Sequence, residues 1–251
     1  MTLKALIFDV DGTLAETERD GHRVAFNQAF TEAKIDWNWS VDFYGDLLVV
    51  SGGKERIQYY IEKYQPNLEI SQDLDEFIVS LHDLKSQYYR DILASGSIPL
   101  RPGIKRLIQA ARTAGIRLAI ATTSILPNAM TLLENTLDPE WFEVIAAGDM
   151  VPEKKPAPDI YHYALEKLEL SPQDCLVFED SDNGLQAATK ASLKTIVTVN
   201  NYTRNQDFSG ASLVVNHLGE PDQPLTCLSG ELEGVNYIDI PFLKSLSENR
   251  N

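Results

Sequence analysis

The stretch Ala5-Leu6-Ile7-Phe8-Asp9-Val10-Asp11-Gly12-Thr13 decides the fold of this chain. Its first four residues form a short apolar run, which is typical of a parallel strand that is buried on both faces. Asp9 and Asp11 follow two residues apart, so their side chains point to the same face, and Gly12 lets the chain turn at once. We therefore predict two carboxylates at the carboxyl edge of a sheet, where open α/β folds bind ligands. Two negative charges so close together need either a cation between them or a proton on one of the carboxylates.

The chain beyond residue 100 repeats a strand followed by a helix. We predict strands at residues 117–121, 142–147, 175–178 and 195–199, with helices between them. Such repeated units with apolar strands are typical of a parallel sheet covered by helices on both faces. The predicted fold class is therefore α/β, with a Rossmann-like parallel sheet as the core.

Residues 16–94 interrupt this pattern with apolar residues at helical spacing and no clear strand. We predict that residues 1–15 and 95–220 form a discontinuous α/β core and that residues 16–94 form an inserted α-helical cap. Caps of this kind cover the edge of a sheet and exclude water. The tail at residues 221–251 has weak apolar patterning, and its sequence is compatible either with packing on the core or with partial mobility.

Composition excludes several classes of protein. The chain has 251 residues and a formal net charge of −15, which argues against a nucleic-acid binder because such proteins need a basic surface. An anionic substrate would need a local positive patch. Cys175 and Cys227 are the two cysteines, and Cys175 lies in an apolar run and is predicted to be a core residue. With no disulfide framework, targeting segment or long apolar run, we expect a cytoplasmic monomer without a membrane partner.

Four short polar segments fall at or just after the ends of predicted strands, at residues 9–13, 122–124, 154–159 and 179–184. In order and sequence they resemble the four motifs of the haloacid dehalogenase superfamily, whose members are mostly Mg²⁺-dependent phosphatases and phosphomutases. The resemblance extends to about residue 218. Each segment alone has an ordinary structural interpretation, such as a helix cap or a surface lysine. The resemblance to the superfamily rests on the presence of all four segments together.

The resemblance implies a role for each matching residue. Asp9 matches the nucleophile that forms an aspartyl-phosphate, and Asp11 matches the general acid and base. Thr122 matches the residue that binds the phosphate. Lys155 matches the lysine that pairs with the nucleophile, because the spacing Lys-Pro-Ala-Pro-Asp favours it over Lys154.

The same resemblance implies a Mg²⁺ site. Glu179 and Asp180 match the acidic metal motif, and Asp9 and the main-chain carbonyl of Asp11 complete the predicted ligand set. Oxygen ligands of this kind suit a hard cation that keeps some of its waters. We expect Asp180 to be a direct ligand, and Glu179 to bind either directly or through water.

The cap contains a second polar motif, Ser51-Gly52-Gly53-Lys54-Glu55-Arg56. A glycine turn that leads into a helix presents free N–H groups to an anion, and arginine can bind phosphate through two hydrogen bonds. On its own, the charge run is more typical of a solvated helix face. Together with residues 16–39, however, the motif resembles the CbbY group, which is similar in fold to β-phosphoglucomutase and dephosphorylates xylulose-1,5-bisphosphate, an inhibitor of Rubisco. The implied substrate-binding residues are Glu18, His22, Arg23, Gly53, Lys54, Arg56, Thr123 and Ser124.

Three functions therefore follow from the sequence. The leading hypothesis is a Mg²⁺-dependent phosphatase for a sugar bisphosphate, associated with the Calvin–Benson cycle. A phosphosugar mutase would use the same core but must shield the aspartyl-phosphate from water, which the sequence does not measure. A non-catalytic phosphosugar-binding protein is the third hypothesis. Dehalogenase activity is disfavoured, because Asp11 and the acidic motif serve phosphoryl transfer.

Overall fold

The computed structural model describes residues 3–66, 73–232 and 234–248. The strands are β1 (Ala5–Phe8), β2 (Arg117–Ala121), β3 (Val144–Ala146), β4 (Cys175–Glu179), β5 (Lys194–Thr198), β6 (Leu213–Val215) and β7 (Cys227–Ser229). The helices are α1 (Arg23–Glu32), α2 (Val41–Leu47), α3 (Gly53–Tyr64), α4 (Leu74–Ala94), α5 (Ile104–Thr113), α6 (Leu126–Thr136), α7 (Asp159–Leu168), α8 (Asp182–Lys190) and α9 (Ile240–Glu248).

The strands form one sheet in the order β3-β2-β1-β4-β5-β6-β7, and every pairing from β3 to β6 is parallel. The predicted α/β parallel-sheet fold is therefore confirmed. β1 lies in the middle, with Phe8 opposite Ile120 of β2 and Phe178 of β4. Leu6 and Phe8 belong to the hydrophobic core on one face, whereas Ala5 and Ile7 belong to the core on the other. Full burial on both faces explains the continuous apolar run, because each large side chain contributes about 1.5–3 kcal/mol when buried.

Helices α1 to α4 have a hydrophobic core of their own, built from aromatic residues. Phe26, Phe30 and Trp39 are fully buried there, and the ring centroids of Phe26 and Trp39 lie 4.6 Å apart. The chain leaves the sheet and returns to it at neighbouring points, since Ala15 and Leu100 form an antiparallel bridge. The two connections between this helical unit and the sheet therefore run side by side.

The described part of the tail packs on the sheet. β7 pairs antiparallel with β6, and α9 buries Leu243 completely in the core on one face of the sheet. β7 and α9 thus show packing on the core, one of the two possibilities that the sequence allowed. Neither β6 nor β7 was predicted, because strands of three residues are too short to show a period.

Cys175 is buried, as predicted, and both cysteines are free. Within the ranges that the structure describes, no helix combines the length and the apolarity needed to cross a membrane.

Candidate active site

The two aspartates of the opening stretch lie at the carboxyl edge of the central strand. The backbone N–H of Asp9 donates to the carbonyl of Phe178 at 3.0 Å, which extends the pairing of β1 with β4. The chain then turns at Gly12, where φ is +86°. A Cβ at this position would lie 2.2 Å from Oδ2 of Asp180, so glycine is needed for space as well as for conformation.

Lys155 lies between two of the predicted acids. Its Nζ donates to Oδ1 of Asp9 at 2.7 Å, to Oε1 of Glu179 at 2.6 Å and to the carbonyl of Ala121 at 2.8 Å. The neighbouring Lys154 instead donates to Glu55 of α3 at 2.6 Å, across the boundary between the sheet and the helical unit. The structure therefore brings Lys155, rather than Lys154, to Asp9.

Asp9, Glu179 and Asp180 form a buried carboxylate cluster in which one oxygen of each lies within 4.8 Å of the others. Burial raises the pKa of Asp9 to about 7, against the opposing charge of Lys155. Burial and the nearby Asp9 also raise the pKa of Asp180 well above its ordinary value. Burial and mutual repulsion thus disfavour the ionisation of Asp9 and Asp180 together, so the donor set fits a hard divalent cation. The carboxylate of Asp11 is not part of this cluster. The metal ligand that the sequence predicts at Asp11 is its main-chain carbonyl instead.

Glu179 is the most constrained member of the cluster. Besides Lys155, the hydroxyl of Tyr161 donates to its Oε1 in a short hydrogen bond. A Cβ on Gly184 would lie 1.9 Å from Oε2, which shows how closely α8 approaches the other oxygen. Whether Glu179 would bind a metal directly or through water stays a prediction.

Asp11 is held by four side-chain contacts. Oδ1 accepts from Oγ1 of Thr17 at 2.6 Å and from the hydroxyl of Tyr89 at 3.0 Å, and it lies 2.9 Å from Nε2 of His22. Oδ2 accepts from Oγ of Ser124 at 2.5 Å. Burial opposes ionisation, but the interaction with His22 and the hydrogen bonds from Ser124 and Thr17 outweigh it and lower the pKa of Asp11 below its ordinary value. Asp11 is therefore a carboxylate in this arrangement.

A buried lysine lies behind His22. Nζ of Lys85, on α4, is 2.7 Å from Nδ1 of His22. An ammonium has no acceptor, so Lys85 donates to Nδ1, and Nε2 is the ring nitrogen that can donate to Asp11. Burial lowers the pKa of Lys85 to about 8. The line from Lys85 through His22 to Asp11 is thus a continuous path for a proton.

Most of the predicted substrate-binding residues line one of two adjoining cavities. A cavity of about 280 Å³ opens beside Asp11, and a smaller one of about 70 Å³ lies at Asp9, Lys155 and Asp180. The two cavities share part of their lining, so they adjoin. The predicted residues in the lining of the larger cavity are Glu18, His22, Gly53, Lys54, Arg56, Thr123 and Ser124.

Besides Glu179, two predicted residues lie outside both linings. Arg23 points away, with its Nε donating to the carbonyl of Arg19 at 3.2 Å and Nη1 to that of Trp39 at 3.4 Å. Thr122 is buried at the end of β2, where its Oγ1 accepts from the backbone N–H of Ser124 at 3.1 Å. Arg23 therefore supports the cap in this structure rather than lining the pocket, because its position on the first turn of α1 directs it along the helix surface.

Arg56 is buried at the boundary of the two cavities. Its Nη1 donates to the hydroxyl of Tyr44 at 2.8 Å, and that hydroxyl donates to Oε2 of Glu18 at 2.5 Å. Nη2 donates to the carbonyl of Val50 at 3.2 Å, whereas Nε has no partner among the described residues. Arg56 is thus fixed in place by two of its five N–H donors.

Several residues of the site were not predicted. Lys85 and Tyr89 lie on the buried face of α4, and Asn128 and His82 line the larger cavity. The apolar residues of α4 do not all lie on its buried face, since Ile78 and Leu81 are buried whereas Leu74 is 39% exposed. The available signal was Lys85 itself, because a lysine at helical spacing from buried residues is unusual unless it has a partner.

Comparisons with known proteins agree with this geometry. Residues 3–192 match the family described as haloacid dehalogenase-like hydrolase. The protein named "Protein CbbY, plasmid" from Cupriavidus necator is 45% identical over 226 residues, which cover 89% of this chain and 89% of that protein. Protein CbbY of Rhodobacter capsulatus is 50% identical over 214 residues, which cover 84% of this chain and 92% of the relative.

A crystal structure of a CbbY mutant from Rhodobacter sphaeroides in complex with xylulose-(1,5)bisphosphate has a TM-score of 0.80 at 44% identity. The match covers 86% of this chain and 95% of that one. A crystal structure of β-phosphoglucomutase from Clostridium difficile shares the fold, with a TM-score of 0.69 at 24% identity over 85% of this chain and 90% of the other.

Proposed function

The chain belongs to the haloacid dehalogenase-like hydrolases, and from that premise we propose that it is a Mg²⁺-dependent phosphatase that hydrolyses a sugar bisphosphate through an aspartyl-phosphate on Asp9. As a phosphoric monoester hydrolase it acts on a sugar phosphate. The observation that carries the proposal is the pairing of Lys155 with Asp9 beside the buried carboxylate cluster, next to a cavity lined with cationic side chains.

The carboxylates of Asp9 and Asp180, with Glu179 directly or through water, would hold Mg²⁺ together with the main-chain carbonyl of Asp11. When bound, the cation supplies positive charge that neutralises the phosphoryl oxygens and favours the ionised form of Asp9. Lys155, whose Nζ lies 2.7 Å from Oδ1 of Asp9, contributes charge of the same sign.

In the first step, a carboxylate oxygen of Asp9 attacks the phosphorus, and the bond from phosphorus to the sugar oxygen breaks. Asp11 protonates the departing oxygen, which avoids expulsion of a bare alkoxide. Because Asp11 is ionised in this arrangement, it needs a proton, and we infer that the proton passes from Lys85 through His22. Thr122 and the backbone of Thr123 at the end of β2 would steady the transferring phosphoryl group.

In the second step, water attacks the phosphorus of the aspartyl-phosphate. Asp11 accepts a proton from that water, inorganic phosphate leaves, and the carboxylate of Asp9 is restored. The proton can return through His22 to Lys85. A covalent route suits this reaction, because hydrolysis of phosphate monoesters is among the slowest uncatalysed reactions, with enzymatic accelerations of about 10²¹-fold.

The adjoining cavities suit a substrate with two phosphates. One phosphate would lie at Asp9, and the distal one would meet Lys54 and the guanidinium of Arg56 in the larger cavity. These cations give the site a local positive charge in a chain whose formal net charge is −15. Glu18 and His22 would contact the sugar between the phosphates.

The complex of the Rhodobacter sphaeroides relative supports xylulose-1,5-bisphosphate as the substrate, and removal of this compound would protect Rubisco from inhibition. The cytoplasmic location and the monomeric state stay predictions from the sequence. Size-exclusion chromatography coupled to light scattering tests the second of them.

A phosphate-release screen tests the proposal as a whole. Ketose 1,5-bisphosphates should be hydrolysed faster than the matching monophosphates, and EDTA should abolish the activity until Mg²⁺ is restored. Glucose 1-phosphates serve as the control for mutase chemistry. Isomerised sugar phosphate without free phosphate, or no phosphate from any sugar phosphate, would overturn the proposal.

A further inference from the structure

A turn at residues 200–203, which follows β5, contacts the carboxylate cluster at Asp180. Asn200 is buried in this turn, and its Nδ2 donates to Oδ2 of Asp180 at 2.7 Å. Its Oδ1 accepts from the backbone N–H groups of Tyr202 at 2.8 Å and Thr203 at 3.2 Å. The turn thus fixes which end of the amide faces the carboxylate.

The segment is braced at several points. Oγ1 of Thr203 accepts from the backbone N–H of Asn200 at 3.0 Å, and Thr203 is itself buried. Farther along, Oε1 of Gln206 accepts from the backbone N–H of Asp182 at the start of α8. Residues 200–206 therefore hold the loop that carries Asp180 at two places.

Space around this contact is tight. A Cβ on Gly12 would lie 2.2 Å from Oδ2 of Asp180 and 2.9 Å from Nδ2 of Asn200. The carboxylate of Asp180 is thus confined by the amide donor and by the turn that carries Asp11. Partners of this kind orient a metal ligand, and their loss typically lowers metal affinity or activity about 10–100-fold.

The same turn also touches the cap. The ring of Tyr202 lies 6.1 Å from that of Tyr44, and a Cβ on Gly45 of α2 would come within 2.9 Å of Cδ1 of Tyr202. Tyr44 is the residue whose hydroxyl joins Arg56 to Glu18. One short turn therefore supports both the carboxylate cluster and the cap residues that line the substrate cavity.

We propose that the turn 200–203 is a shared support in which Asn200 is a positioning residue for the metal ligand Asp180 and Tyr202 seats the cap over the substrate. The inference rests on the proposed function, because it takes the carboxylate cluster as the metal site. One turn would thus meet two requirements of the reaction, a correctly placed metal ligand and a cap seated over the substrate, which the four motifs do not connect.

Calorimetric titration of the full chain with Mg²⁺ alone tests the role of Asn200. We expect Asn200→Ala to weaken binding about 10–100-fold. The matched control is Asn201→Ala, an exposed neighbour, which should bind within twofold of the wild type. Wild-type affinity in Asn200→Ala would overturn this inference alone. Absence of Mg²⁺ binding by the wild type would overturn the proposed function, and the inference with it.

A measurement on the wild type covers the case in which Asn200→Ala does not fold. In ¹H–¹⁵N NMR spectra, the side-chain amide of Asn200 and the backbone amides of Tyr202 and Thr203 should shift during the Mg²⁺ titration, with the dissociation constant found by calorimetry. If these signals stay in place while Mg²⁺ binds, the amide does not position Asp180.

The role of Tyr202 is tested by Tyr202→Ala. Asn200 is held by the backbone N–H of Tyr202, so affinity for Mg²⁺ alone should stay within twofold of the wild type. The KM for a ketose bisphosphate should rise up to about tenfold, the equivalent of losing one aromatic pair. An unchanged KM, or a loss of Mg²⁺ affinity equal to that of Asn200→Ala, would refute the division of roles.

Discussion

Replacing Lys155 with methionine keeps a long side chain and removes its charge. In the wild type the ammonium contacts Asp9 at 2.7 Å and Glu179 at 2.6 Å, and all three residues are buried. Removing one partner of a buried ion pair leaves an uncompensated charge and costs about 3–5 kcal/mol. We therefore expect Lys155→Met to lose about 3–5 kcal/mol of unfolding free energy at pH 8 without Mg²⁺, out of the roughly 5–15 kcal/mol typical of a folded protein.

The loss should be smaller at pH 5.5. Burial already raises the pKa of Asp9 to about 7, and Lys155 opposes that rise, so its removal raises the pKa further. An acid whose pKa is higher in the folded state binds more protons when folded, so its contribution to stability falls as the pH rises through the folded pKa. At pH 5.5 Asp9 keeps its proton in the folded state of both proteins, whereas at pH 8 the wild type has released it and the folded variant must still bind one from solvent, which costs the variant additional stability.

Urea unfolding followed by circular dichroism at the two pH values measures both effects. The matched control is Lys154→Met, whose ion pair with Glu55 is partly exposed and should contribute less than about 1 kcal/mol. The reasoning is refuted if Lys155→Met loses less than about 1 kcal/mol at pH 8, or if its loss is no smaller at pH 5.5.

Three further predictions concern the reaction. Asp9→Asn should abolish phosphate release while the circular dichroism spectrum is kept, and turnover above background would exclude Asp9 as the nucleophile. Arg56→Ala should lower kcat/KM for a ketose bisphosphate by about 2 kcal/mol, or about 30-fold, with a much smaller effect on the monophosphate; equal losses would remove the distal-phosphate site. Burial lowers the pKa of Lys85 to about 8, so kcat should fall above that pH as the ammonium is lost, and Lys85→Met should lower kcat and abolish this alkaline limb. A limb that persists in Lys85→Met would assign it to another group.

The sheet and the chemistry at its edge were predictable for the same physical reason. A strand buried on both faces has a continuous apolar run, and the polar residue that follows it marks the carboxyl edge. Parallel strands bring all such edges together, so Asp9, Lys155 and Glu179 could be grouped before their contacts were known. The structure adds the distances from Lys155 to both acids, but the three residues are those that the sequence already grouped.

The cap was less predictable, because helices converge on the site through tertiary packing. Lys85 is 63 positions from His22, and no local pattern relates the two. Asn200, by contrast, follows β5 at the same carboxyl edge of the sheet as Asp180, so its contact obeys the rule for parallel strands, although the sequence did not single it out. The amphipathic pattern of α4 also misled, since its polar buried residues face the site while some of its apolar residues face solvent.

The antiparallel bridge between Ala15 and Leu100 has an evolutionary consequence. The inserted helices enter and leave the sheet at adjacent points, and insertions whose ends lie close together are well tolerated by a host fold. The insert can therefore be exchanged as a block, and new substrates acquired, while the sheet and the chemistry at its edge are inherited unchanged. The turn at Asn200 limits that freedom, because any replacement block must also fit against Tyr202.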